Sequence, residues 1–122
     1  MVENKKNIKY RAYGFALEVI KLIDTLPNKK AYWSLGDQIL RSATSIGANI
    51  VEATGSLSKK EFIGFYSIAL KSANETKFWL CLIRDSQKGN IKMASKLLQE
   101  ANELSKMIGA SILTMKGKRT KD

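Results

Sequence analysis

The sequence contains no histidine, one cysteine (Cys81) and one proline (Pro27). Without histidine, the common His/Cys zinc sites and the Ser–His or Cys–His nucleophile pairs cannot be assembled. A single cysteine cannot form a disulfide within the chain. We therefore expect a protein that is not an enzyme and that uses no metal and no cofactor.

Long apolar stretches are also missing. No run of about 18 apolar residues occurs, and the N-terminus reads MVENKKNIKYR, which lacks a signal-peptide pattern. We therefore expect a cytoplasmic protein with no membrane partner. The 122 residues, 44% of them hydrophobic, have the size and apolar content of one domain with a single core, so residues 1–122 are predicted to form one domain.

Acidic residues are a minority, with 11 Asp and Glu against 21 Lys and Arg, and the formal net charge is +10. In a small protein this excess favours polyanionic partners such as RNA or DNA. The alternative is solubility alone, because most of the excess is lysine, a strongly hydrated point charge.

Apolar residues recur at helical spacing in four segments, and the alternation typical of strands is absent. Pro27 is expected to end the first helix, Ser34 to cap the second and Gly55 to end it. Ser58 and Glu61 are expected to form a capping box at the start of the third. The predicted helices are 8–26, 35–54, 59–87 and 91–115, with 116–122 as a basic tail.

Short links between long amphipathic helices place neighbours antiparallel, so the fold class is predicted to be all-α, an up-down-up-down four-helix bundle. This topology brings the start of the first helix, the link between helices 2 and 3, and the end of the fourth helix together. Basic residues accumulate there, and we predict that this end contacts the phosphates of RNA or DNA with little readout of base sequence. The residues are Lys5, Lys6, Lys9, Arg11, Lys59, Lys60, Lys116, Lys118, Arg119 and Lys121.

The second helix is nearly uncharged, since only Asp37, Arg41 and Glu52 are ionised. An uncharged helix in a bundle suggests that its outer face is covered, most simply by another copy of the chain. The alternative is a monomer with a mildly polar face. Small residues would let a neighbouring backbone approach closely, and these are Gly36, Ala43, Gly47 and Ala48.

Arg41, Ser45, Asn49 and Glu52 follow one another at helical spacing and predict a polar stripe on the second helix. A catalytic role is disfavoured because one carboxylate without a second acid or a histidine has little acid–base chemistry. A nucleic-acid contact through Arg41 and Asn49 is a second interpretation. The favoured one is structural, in which the polar groups fix helix register and subunit arrangement.

The segments LRSATSIGANIVEA, SKKEF and IALKSANETKFWL, within residues 40–83, carry a combined pattern of polar and apolar positions. This pattern resembles the bacterial four-helix-bundle family of proteins encoded in intervening sequences of 23S rRNA genes. Gly47 stands where many members have proline, and Ala53 stands where many have glycine. The positions that match the family pattern are Arg41, Ser45, Asn49, Glu52 and Glu75.

The resemblance implies a four-helix bundle that assembles into a homopentamer. It also implies similarity to the accessory variability determinant proteins of diversity-generating retroelements, which are basic pentamers that bind nucleic acid and a reverse transcriptase. The predicted function is therefore a non-enzymatic, oligomeric nucleic-acid-binding scaffold. The alternative is a protein–protein adaptor, such as an accessory subunit of a reverse transcriptase or a ribosome-associated factor.

Overall fold

Four α-helices make up most of the chain in the computed structural model, which describes residues 7–117. They are α1 (Ile8–Ile23), α2 (Lys30–Thr54), α3 (Lys59–Ser86) and α4 (Ile91–Met115). No strand occurs in this range. The predicted all-α class is confirmed.

Side-chain caps begin three of the helices, because the first amides of a helix have no partner within it. The Asn7 side chain accepts from the Lys9 amide at 2.8 Å, and the Asn90 side chain accepts from the Met93 amide at 3.0 Å. At α3, the Ser58 hydroxyl accepts from the Glu61 amide at 3.0 Å. The Glu61 carboxylate in turn accepts from the amide of Leu57 at 3.1 Å, so the predicted capping box is present.

The link between α1 and α2 differs from the prediction. Helix α1 ends at Ile23, three residues before the expected end, and α2 begins at Lys30, five residues before the expected start. Ser34 therefore lies inside α2, and its prediction as the N-cap was wrong. The side chain of Asn28 accepts a hydrogen bond from Trp33 Nε1 at 2.7 Å, which ties the link to the first turn of α2. The other predicted boundaries agree to within one residue.

Each helix packs on two neighbours, in the cyclic order α1, α2, α3, α4, and within residues 7–117 the backbones of diagonal helices stay farther apart, with no Cα atoms within 8 Å. Neighbouring helices run antiparallel. The hydrogen bonds between α2 and α3 show this, because Ser45 pairs with Ser72 whereas Ser42, which is earlier in α2, pairs with Thr76, which is later in α3. At one end of the bundle the amide of Asn90 donates to the hydroxyl of Thr25 at 3.0 Å, which joins the α3–α4 link to the end of α1. The arrangement is the predicted up-down-up-down bundle.

The core lies along the axis between the four helices and consists of one apolar stripe from each. Ala12, Ala69 and Ala101 are completely buried small residues that alternate with larger ones. The largest side chains that are completely buried include Leu22, Ile39, Ile46, Leu80, Ile83, Leu104 and Ile108. Burial of these stripes is the main source of helix stability here, since in proteins helices are stabilised mostly by packing of an apolar face.

Gln87 ends α3 in the left-handed region, with φ 62° and ψ 22°, and it is the one non-glycine residue with positive φ in residues 7–117. Glycine adopts this conformation without steric cost. We expect Gln87→Gly to raise the free energy of unfolding by about 1 kcal/mol, measured by urea denaturation. The control is Lys88→Gly at the next position, where φ is not positive. Glycine at position 88 is expected to leave the free energy of unfolding unchanged or lower it. An equal gain at both positions would show that the left-handed conformation of Gln87 is not the cause.

Candidate interaction surfaces

A polar seam runs through the contact between α2 and α3. The Ser72 hydroxyl donates to Ser45 Oγ at 2.9 Å, and Thr76 Oγ1 donates to Ser42 Oγ at 2.8 Å. Asn49 Nδ2 donates to the carbonyl and the hydroxyl of Ser45 at 2.8 and 3.0 Å. No buried side-chain nitrogen or oxygen of the described chain lacks a partner. The seam is therefore satisfied internally and fixes the register of two helices.

The predicted stripe on α2 does not act as a unit. Ser45 and Asn49 belong to the seam, whereas Arg41 and Glu52 are exposed. Arg41 pairs with Asp37 at 2.9 Å along the helix surface. The Glu52 carboxylate makes no hydrogen bond to any residue between 7 and 117, so the start of α3 is capped by Ser58 and Glu61 without it. Residues spaced by three or four do not lie directly above one another on a helix of about 3.6 residues per turn. Ser45 and Asn49 therefore point towards α3, whereas Arg41 and Glu52 point to solvent.

Glu75 holds an aromatic pair on the outer surface of α3. Its carboxylate accepts from Trp79 Nε1 at 3.0 Å, four residues along the helix. The Trp79 ring packs edge-on against Phe78, with centroids 5.0 Å apart and an interplanar angle of 72°. The side chain of Phe78 is 58% exposed. Glu75 thus supports the Phe78–Trp79 pair on the surface and takes no part in the buried polar seam.

The antiparallel topology brings Lys9, Lys59, Lys60 and Lys116 to one end of the bundle, which we call the basic end. Within the described chain none of these four ammonium groups forms an ion pair. Lys9 Nζ lies 5.4 Å from the centroid of the Tyr10 ring. The other basic residues predicted for this end, except Arg11, lie outside the described residues: Lys5, Lys6, Lys118, Arg119 and Lys121.

Arg11 was predicted to contact phosphate, but its guanidinium already binds two carboxylates of α4. Its nitrogens donate to Glu100 at 2.8 and 3.1 Å and to Glu103 at 2.7 Å. These hydrogen bonds raise the pKa of Arg11 above its usual value. The ion pairs join α1 to α4 beside an open cavity of about 610 Å³. We therefore leave Arg11 out of the proposed phosphate contacts.

Apolar side chains form an exposed groove between α1 and α2, with a volume of about 450 Å³. Tyr13, Leu17 and Ile20 follow one another at spacings of four and three on α1, and each is 44–51% exposed. Val51, on the α2 side of the groove, is 47% exposed. We define the α1–α2 groove by Tyr13, Leu17, Ile20, Ala48 and Val51.

The small residues of α2 were expected to receive another copy of the chain, but two of the four, Gly36 and Ala43, are buried. Ala43 is completely buried, and a Cβ on Gly36 would lie 3.2 Å from the Ile23 side chain. A Cβ on Gly47 would lie 3.6 Å from Cβ of Ala12. Gly36 and Ala43 are thus enclosed within one chain, whereas Gly47 both packs on Ala12 and lines the α1–α2 groove. Ala48 alone is exposed.

Two further features bear on function. No group of three or more Cys, Asp or Glu side chains within residues 7–117 is placed to hold a metal ion. In the same range no helix is long and apolar enough to cross a membrane. The described chain is thus an antiparallel four-helix bundle with a polar seam, an apolar groove and a basic end.

Comparison with known proteins agrees with this class. The model of the 23S rRNA-intervening sequence protein family matches residues 4–110, and the chain belongs to this family. It is similar to a crystal structure of a protein of unknown function from the S23 ribosomal protein family of Bacteroides thetaiotaomicron, with a TM-score of 0.80 and 35% sequence identity. That match covers 87% of this chain and 98% of the other. No curated protein sequence matches the chain.

Proposed function

We propose that the protein is a non-enzymatic, oligomeric scaffold of the cytoplasm that binds RNA or DNA through the phosphates at its basic end. The observation that carries the proposal is the position of Lys59 and Lys60. They occupy the first turn of α3, are exposed, and have no acidic partner within the described residues.

Lysines in the first turn of a helix lower the stability of that helix. The N-terminus of a helix carries a partial positive charge, so each cation there costs about 0.3–1 kcal/mol. A bound phosphate would reverse this cost, because helix N-termini and lysines both attract anions. Lys116, at the C-terminal cap of α4, is by contrast favoured by the helix dipole. Lys9 also lies in the first turn of a helix, but its ammonium group lies near the Tyr10 ring. Lys59 and Lys60 have neither a favourable helix dipole nor an acidic or aromatic partner within the described residues.

Assembly would strengthen such binding. The exposed α1–α2 groove supports self-association, since a contiguous apolar surface on a charged protein commonly marks an interface. We propose a homo-oligomer of five copies, the number that family resemblance implies. A cyclic assembly would place several basic ends on one face, and many weak phosphate contacts would then act together.

We expect Lys59→Gln combined with Lys60→Gln to weaken binding to a labelled single-stranded RNA of mixed sequence by about tenfold at physiological salt. The slope of log affinity against log salt should become shallower by about 1.4, or about 0.7 for each lost phosphate contact. Duplex DNA should respond in the same direction, because phosphates rather than bases are contacted. The measurement is fluorescence anisotropy over a salt series.

The matched control is Lys88→Gln with Lys92→Gln, which removes the same charge from the opposite end of the bundle, where both side chains are exposed. Equal weakening by the two pairs would show that net charge, and not the basic end, attracts nucleic acid. Binding that is absent in the wild type at low salt would reject the proposal. That outcome would favour the alternative adaptor function, in which one protein binds saturably with a weak dependence on salt.

A further inference from the structure

We infer that the α1–α2 groove receives the outer face of α3 from a second copy of the chain. This inference rests on the oligomer proposed above and names the surface that completes it. Ile68, Phe78 and Leu82, which we call the α3 ridge, are 47%, 58% and 41% exposed. Their separations of ten and four residues place them on one side of the helix.

The two surfaces differ in the size of their central side chains. The groove has small residues, Gly47 and Ala48, between the larger side chains of its two walls. The ridge offers Phe78, which is supported by Trp79 and, through it, by Glu75. A rigid aromatic side chain that enters an apolar pocket is the usual centre of a strong interface, because little conformational entropy is lost on binding.

Charge favours a second copy over an acidic or nucleic-acid partner at this place. Two chains of net charge +10 repel each other unless the surfaces in contact carry little positive charge. At the groove, Lys9 and Glu52 offset each other. On the ridge, Lys71 and Glu75 lie between Ile68 and Phe78 and are both exposed, so the opposite charges again cancel. An anionic partner would find no excess of cations on either surface.

The positions of the two surfaces determine the symmetry. The groove involves α1, and the ridge lies on α3, the helix diagonal to α1 in the bundle. A contact between different surfaces is heterologous, so each chain uses its groove for one neighbour and its ridge for the other. Such contacts close into a ring when the rotation between neighbours permits it. A two-fold dimer built from groove against groove would leave the ridge unused.

The experiment uses two single variants of the full chain, Leu17→Glu in the groove and Phe78→Glu on the ridge. Each should be monomeric by analytical ultracentrifugation, because each removes one half of every interface. An equimolar mixture should form a dimer that contains one copy of each variant, since the intact ridge of Leu17→Glu fits the intact groove of Phe78→Glu. Native mass spectrometry identifies the mixed species. The control is the variant Leu113→Glu. Leu113 lies on α4 and is 47% exposed, so its exposure is similar, and the variant should assemble like the wild type.

The outcomes separate the two proposals. If the wild type is a monomer, the oligomeric part of the proposed function fails. If the wild type assembles but Phe78→Glu assembles equally well, or if the mixture contains no mixed dimer, the groove does not receive the ridge and this inference is overturned. Circular dichroism and thermal unfolding of each variant verify that the substitutions at these exposed positions leave the fold intact.

Discussion

Replacing Leu80 by alanine is expected to lower the free energy of unfolding by about 2–5 kcal/mol. Leu80 has no exposed surface and belongs to α3, which packs on both α2 and α4. Truncation removes apolar contacts and leaves a cavity that the surrounding helices fill only in part. Domains of this kind have a total stability of about 5–15 kcal/mol, so the loss is a large share of it. Urea denaturation followed by circular dichroism measures the change.

The control is Leu113→Ala, which removes the same atoms from a side chain that is 47% exposed. Its effect should remain within about 0.5 kcal/mol. Both variants and the wild type are compared at one protein concentration, because assembly contributes to apparent stability. Equal losses at the two positions would contradict the burial of Leu80.

Gly47→Leu is expected to destabilise the fold by about 1–3 kcal/mol, measured in the same way. A Cβ at this position already comes within 3.6 Å of Ala12 Cβ and 3.9 Å of the Ala12 backbone. The remaining atoms of a leucine side chain would therefore force α1 away from α2. The gain from replacing a helical glycine, about 0.8 kcal/mol, offsets only part of this cost.

Gly64→Leu in α3 provides the matched control, since a Cβ there has no neighbour within 4 Å. The same substitution should be neutral or stabilising by up to about 0.8 kcal/mol, because only the helix preference changes. If Gly47→Leu were also stabilising, the close packing of α1 on α2 would not be correct.

The architecture was predictable because each helix carries an unbroken apolar stripe at helical spacing. Thr76 and Ala73, for example, continue the stripe of α3 and are completely buried. The start of α2 was not predictable in the same way. Ser34 followed by Asp37 has the local form of a helix cap, yet the helix continues back to Lys30. There the hydrogen bond from the Trp33 side chain to Asn28 outweighs the local preference.

The interaction surfaces were predicted only in part. The uncharged character of α2 predicted an outer face that another copy of the chain covers, but α1 supplies half of the exposed groove through Tyr13, Leu17 and Ile20. Spacing along one helix cannot show which neighbour shares a surface. Likewise, the sequence analysis counted Arg11 among the basic residues predicted to contact phosphates. Its carboxylate partners are about ninety residues away along the chain, and only the packing of α1 on α4 reveals them.

The polar seam also constrains motion within the bundle. A slide of α3 along α2 by one helical turn would separate Ser45 from Ser72 and Ser42 from Thr76 at the same moment. Buried hydroxyls would then lose their partners, at a cost of about 1–3 kcal/mol each. We therefore expect α2 and α3 to behave as one rigid hairpin. Any rearrangement that accompanies assembly or nucleic-acid binding would then be carried by α1 and α4, which are joined through exposed and half-buried charges.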